Sequence, residues 1–143
     1  MVIEVINRQR TLRIDRHAVA ALAEKTLASE HAEGDLNIVF VGRRAITDLN
    51  RRYLGHDGPT DVISFPAGDG EDSARDASLG EVVVCADVAV DQAVARSLDV
   101  TDELYLYVVH GILHLAGWDD STPAARTRMN RRARAIVREF RKA

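Results

Sequence analysis

The period of the apolar positions changes several times along the chain, and each change marks an element. Val2 to Ile6 is short, apolar and β-branched, the pattern of a strand. After Asp15 the spacing becomes helical, with Val19, Leu22, Ala23 and Leu27 on one face and Asp15 as N-cap, which predicts a helix over residues 15–30. Gly34-Asp35 breaks it. Leu36 to Val41 reads as a second strand, ended by Gly42, and residues 43–53 suit a short helix with Ile46, Leu49 and Tyr53 on one face. Leu54 to Thr60 (LGHDGPT) reads as a loop, because Gly55, Gly58 and Pro59 oppose regular structure. Asp61 to Phe65 is a third strand stopped by Pro66. Residues 67–78 carry almost nothing apolar and are expected to form a mobile surface loop. Leu79 to Cys85 is a fourth strand.

The last third of the chain is helical in pattern. Asp87 to Leu98 places Val88, Ala89, Ala93, Val94 and Leu98 on an apolar face. Asp99 or Thr101 then caps a strongly apolar helix, with Asp102 and Glu103 in its first turn and Gly117 at its end. A final helix starts near Pro123. Met129, Ala133, Ile136, Val137 and Phe140 form its inner face, and Arg128, Arg131, Arg134, Arg138 and Arg141 lie off it. The order βαβαββααα predicts an α+β fold, with one mixed four-stranded sheet and helices mainly on one face.

The chain's 143 residues suit a single domain over 1–143, large enough to bury roughly 70% of its unfolded surface. Aromatics are only 5%, so the core must be built from Val, Leu, Ile and Ala. The one cysteine, Cys85, excludes an intramolecular disulfide and an all-cysteine metal cluster, and fits a reducing compartment. No apolar run approaches the roughly 20 residues that span a bilayer, and MVIEVINRQR lacks a signal-peptide pattern. A cytoplasmic protein without a membrane partner is expected. The net charge of -3 hides an asymmetry. Eight of the 19 Lys and Arg but only one of the 22 acids fall in residues 126–143, so that segment carries +7 and the rest -10.

The chemistry concentrates on one helix. His110 and His114 are four residues apart, which puts both imidazoles on one face where they can converge on one ion. Gly117 follows His114 by three residues and can turn the chain back, so that Asp120 supplies a third ligand. Two helical histidines, a glycine turn and a third ligand form the pattern of a zincin-type metal-hydrolase helix, and three protein ligands leave a position open for catalysis. Two core histidines satisfied by protein partners are the alternative. His17, His31 and His56 stand in polar surroundings and read as surface residues. Gly111 occupies the position after the first histidine, where zinc peptidases carry a glutamate base, which disfavours a peptidase.

The string HGILHLAGWDD (110–120), with PTDVISFP (59–66) and LGEVVVCADVA (79–89) in order and at matching spacing, resembles the YbeY family of bacterial rRNA-maturation endoribonucleases over essentially the whole chain. The resemblance implies a small α+β domain that cuts single-stranded RNA in 3′ maturation of small-subunit ribosomal RNA and in ribosome quality control. It implies one divalent metal ion per chain, zinc foremost, held by His110, His114 and Asp120, and RNA, not DNA, as partner.

The chain departs from the family pattern at two places. Asp120 stands where the family has a histidine, with Asp119 as the alternative ligand. Leu54 stands where the family has an arginine that meets RNA phosphate, with Arg51 and Arg52 nearby as substitutes. On this reading the catalytic residues are His114 and Arg52, and Arg51, Arg52, Thr60 and Asp61 contact RNA. Thr60 and Asp61 also suit plain loop capping. Cys85 reads as a small core residue, and Trp118 either stacks on a base or covers the helix end. The rival functions are an assembly factor of the same fold with weak or lost cleavage, and a metal hydrolase with a non-RNA substrate.

Overall fold

In the computed structural model, which describes residues 1–68 and 78–142, four strands and five α-helices follow the expected order. Strands β1 (Ile3–Asn7), β2 (Asp35–Val41), β3 (Val62–Pro66) and β4 (Ser78–Cys85) form one sheet in the order β1-β2-β4-β3. β1, β2 and β4 run parallel, and β3 pairs antiparallel with β4 at the edge, Ile63 opposite Val83 and Ser64 opposite Val82. The sheet is therefore mixed.

Four of the helices form where their period predicts. α1 (Arg16–Ser29) starts at Asp15, whose carboxylate accepts from the Ala18 N–H at 3.1 Å, and buries Val19, Leu22, Ala23 and Leu27. α3 (Ala86–Arg96) follows β4 directly. α4 (Val100–Leu115) is capped by Asp99, which accepts from the Asp102 N–H, and not by Thr101. α5 (Pro123–Lys142) buries Ala125, Met129, Ala133, Ile136 and Val137.

The alternation of the strands divides the core. Leu36, Ile38, Phe40, Val82 and Val84 point toward α1, α4 and α5 and build the main cluster. Val39, Val41, Ile63, Val83 and Cys85 point to the other face, where Ile46 of α2 (Arg43–Leu49) covers them. Helices therefore sit mainly on one face. Cys85 is a fully buried free thiol, as expected of a core residue.

Two local expectations are corrected. The helix over 43–53 does not continue as one α-helix: after Leu49 the chain widens into a π-helical turn, Asn50–Leu54. The extra residue per turn brings Asn50 inside, where its amide donates to the Gly58 carbonyl, and rotates Tyr53 out to 59% exposure. Within α3, Val94 lies 77% exposed, and Leu98 just beyond the helix is exposed too, because the helix turns Ala86, Ala89 and Ala93 to the core instead. The loop predicted over 67–78 lies largely outside the described residues. No helix among the described residues is long and apolar enough to cross a membrane.

Candidate metal centre

α4 is the most apolar helix, and it lies hard against the sheet. A Cβ on Gly111 would stand 2.4 Å from Val82 Cγ1, 3.0 Å from Val62 Cγ2 and 3.2 Å from Ser64 Oγ. Gly111 thus admits the sheet, not a substrate. Ser64 fastens the contact: its hydroxyl donates to the Gly111 carbonyl at 2.8 Å. The hydroxyl is thereby committed to a backbone carbonyl across the helix–sheet contact.

On the adjoining flank of α4, His110 and His114 stand one turn apart. Their ring centroids are 4.9 Å apart, and their side chains are 19% and 30% exposed. The helix then ends in a Schellman motif. The Gly117 N–H donates to the His114 carbonyl and the Trp118 N–H to the Leu113 carbonyl. Gly117 has φ +103°, a conformation that a side chain disfavours. The turn brings Asp120 back over the histidines: its Oδ2 lies 3.3 Å from His114 Nε2 and 4.0 Å from His110 Nε2. One donor atom from each of the three residues lies within 4.8 Å of the others, so the group could hold a metal ion. Tetrahedral bonds of 2.0–2.2 Å would set the donors about 3.3–3.6 Å apart, so the set needs only a small contraction.

The two acids after Trp118 have different tasks. Asp119 Oδ1 accepts the Ser121 N–H at 2.9 Å and Oδ2 the Ser121 hydroxyl at 2.6 Å. These bonds, the side-chain one foremost, pull its pKa below the ordinary carboxylate value. Asp119 therefore shapes the turn, and Asp120 faces the imidazoles. Burial, together with the neighbouring His114, pushes the His110 pKa down against the opposing pull of Asp61 and Asp120. That shift favours the neutral imidazole, the form that can ligate.

A second cluster supports the turn, and no local pattern in the sequence announced it. Glu30, just past α1, is half-buried, with its side chain only 9% exposed. It accepts from Trp118 Nε1 at 2.5 Å and from Arg132 Nη2 at 2.8 Å and Nε at 3.1 Å. Burial raises its pKa, but hydrogen bonds from Arg132, Trp118 and Ser29 outweigh that and leave it lowered. Trp118 thus covers the helix end, tied by its indole to a carboxylate 88 residues away.

The residues expected to meet RNA are dispersed. Arg51 and Arg52 are exposed in the π-helical turn, beside Leu54 at 50% exposure. Asp61 caps its own loop: Oδ1 accepts from the Val62 N–H at 2.8 Å and from the Thr60 hydroxyl at 3.3 Å. Its charge nevertheless reaches His110. His17, His31 and His56 are exposed.

The chain is similar to known proteins in both sequence and fold. A family model described as Endoribonuclease YbeY matches residues 4–141. The Endoribonuclease YbeY of Salinispora tropica is 37% identical over 128 residues, covering 82% of this chain and 78% of that protein. That of Beutenbergia cavernae is 38% identical over 125 residues, covering 82% and 83%. The solution structure of TM1509 from Thermotoga maritima superposes with a TM-score of 0.65 at 27% identity, covering 99% of this chain and 93% of that one.

Proposed function

Since the chain belongs to the YbeY endoribonuclease family, enzymes that act on RNA phosphodiester bonds, we propose that it is a metal-dependent endoribonuclease, one domain over residues 1–143. Its substrate is single-stranded RNA. Its place is the cytoplasm, in 3′ maturation of small-subunit ribosomal RNA and ribosome quality control. The observation that carries this reading is the convergence of His110, His114 and Asp120 on one point.

These three residues hold one divalent ion, zinc foremost, because two imidazoles and a carboxylate form a donor set suited to a catalytic zinc site. When bound, such an ion supplies Lewis-acid polarisation of a phosphoryl oxygen and acidifies a water. The chain's own residues do the rest. His110 and His114 present lone pairs from a helix packed directly against the sheet at Gly111. Glu30 and Trp118 hold the turn that carries Asp120. Arg52, with Arg51, takes the phosphate charge, in place of the arginine that Leu54 lacks. Thr60 and Asp61 form the adjoining wall. The family match favours this enzyme over a non-cleaving assembly factor or a hydrolase of another substrate.

Single-stranded RNA incubated with the protein before and after chelation tests the proposal. Cleavage should vanish with chelator, return with added zinc, and be lost in His114→Ala. Equal cleavage by wild type, chelated protein and His114→Ala would reject it.

A further inference from the structure

The metal centre is not where most of the positive charge lies. Of the basic residues on α5, Arg132 is bound to Glu30, and Arg141 lies 3.1 Å from Asp102 and 3.8 Å from Asp99. The one acid of the helix, Glu139, is taken by Lys25 at 3.2 Å. Arg131, Arg134 and Arg138 are exposed, and none has a carboxylate within 4.0 Å among the described residues. Their spacing of three and four residues stacks them in one row, and all three line a shallow groove of about 390 Å³ with Thr127 and Asn130, while Arg134 and Arg138 also border a second groove that Asp99, Asp102 and Glu103 line.

Such a row is costly by itself. Like charges at these spacings repel along a helix. The rest of the protein carries ten net negative charges, yet no carboxylate among the described residues comes within 4.0 Å of the row to pair with it. An anionic partner would remove it. The row holds arginines alone, whose planar forks pair with phosphate oxygens two bonds at a time.

The row leads away from the metal centre. Its Arg131 end adjoins Arg132, whose partner Glu30 also holds Trp118 of the turn that carries Asp120, whereas Arg141, one turn beyond Arg138, meets the first turn of α4. From Arg131 to Arg138 the helix rises about 10 Å. A stacked strand covers that length in about three nucleotides at 3.4 Å each.

We propose that Arg131, Arg134 and Arg138 form a second RNA-binding surface, a track for the phosphate backbone of a segment flanking the one that is cut. It rests on the endoribonuclease reading and extends it, because it makes long RNAs better substrates than short ones.

The test compares wild type with the triple variant Arg131→Gln/Arg134→Gln/Arg138→Gln, both stripped of metal, binding a single-stranded RNA of about 20 nucleotides across a salt series. Three lost contacts should lower the slope of log affinity against log salt by about two, so that wild type loses roughly twentyfold more affinity than the variant between 50 and 200 mM salt. With metal restored, kcat/KM on the long RNA should fall about tenfold or more in the variant, while that on a tetranucleotide stays unchanged. An unaltered melting temperature shows that the variant is folded. Identical salt slopes and identical kcat/KM on the long RNA would overturn the surface and leave an acidic protein as the partner of the row. Cleavage of neither RNA by wild type, with the difference in slope intact, would instead remove the endoribonuclease reading and keep the surface.

Discussion

Replacing Gly111 with alanine adds one methyl group at the point where α4 meets the sheet. Carbon atoms pack at about 3.5–4.0 Å, and the new Cβ would stand 2.4 Å from Val82 Cγ1. Something must therefore move by about 1.1–1.6 Å. Val82 is fully buried in a central strand and β-branched, so it cannot swing aside. The displacement falls on α4, and it pulls the Gly111 carbonyl from the Ser64 hydroxyl, now 2.8 Å away. Overpacking costs about 1–3 kcal/mol and the lost hydrogen bond about 0.5–1.5, whereas alanine's helix propensity returns about 1. A net loss of about 1–3 kcal/mol follows, or a melting temperature lower by about 4–12 °C. His110 moves with the helix, so metal affinity should fall by about tenfold. Denaturant unfolding and competitive zinc titration measure the two effects. Val82→Ala makes room, so in the double variant the losses should be sub-additive by at least about 1 kcal/mol. A Gly111→Ala protein as stable as wild type, with unchanged zinc affinity, would refute the argument that this contact sets the position of the histidines.

Three further outcomes follow from the site. Asp120→Ala should lose metal affinity while Asp120→His keeps or raises it, measured by zinc competition; equal affinity in wild type and Asp120→Ala would show that the carboxylate does not coordinate. Glu30→Gln weakens the bonds to Arg132 and should cost about 1–3 kcal/mol by urea unfolding. Because the Glu30 pKa is lowered in the folded state, its contribution is present above the ordinary glutamate pKa and disappears as pH falls through the folded value, so wild type and Glu30→Gln should converge in stability below about pH 4. Leu54→Arg should raise the cleavage rate on single-stranded RNA at fixed salt and metal occupancy, and Arg51→Gln/Arg52→Gln should lower it; no change in either would take phosphate contact away from this turn.

The parts of the site written locally were legible in the sequence. His110 and His114 are one helical turn apart in any α-helix, and Gly117 announces the turn that returns Asp120, because the left-handed conformation favours glycine. The strands and the apolar faces of α1 and α5 were legible for the same reason: period is a local property. What required the fold was long-range pairing. Nothing near Glu30 indicates that it meets Trp118 and Arg132, 88 and 102 residues further on. Gly111 could be read as a place of close approach, but not as the seat of Val82. The π-helical turn at Asn50 also escaped, because tertiary demand for the Asn50 amide at Gly58 overrode a regular helical period. Asp119 and Asp120 are alike in composition, and only the Ser121 bonds separate them.

The donors are divided between two kinds of support, and this bears on the rate at which an ion would come and go. Two sit on α4, whose residues from Tyr107 to Leu113 are buried apart from His110 itself. The backbone amides of such a helix exchange with solvent only when the whole domain opens. The third donor sits on a short, partly exposed turn held by one indole and one serine. That turn can open alone, at far smaller free energy. An ion there would remain on two imidazoles while Asp120 lifts away, and would leave or be replaced from that half-released state. Its residence time is then a property of residues 117–122, separable from the stability of the fold.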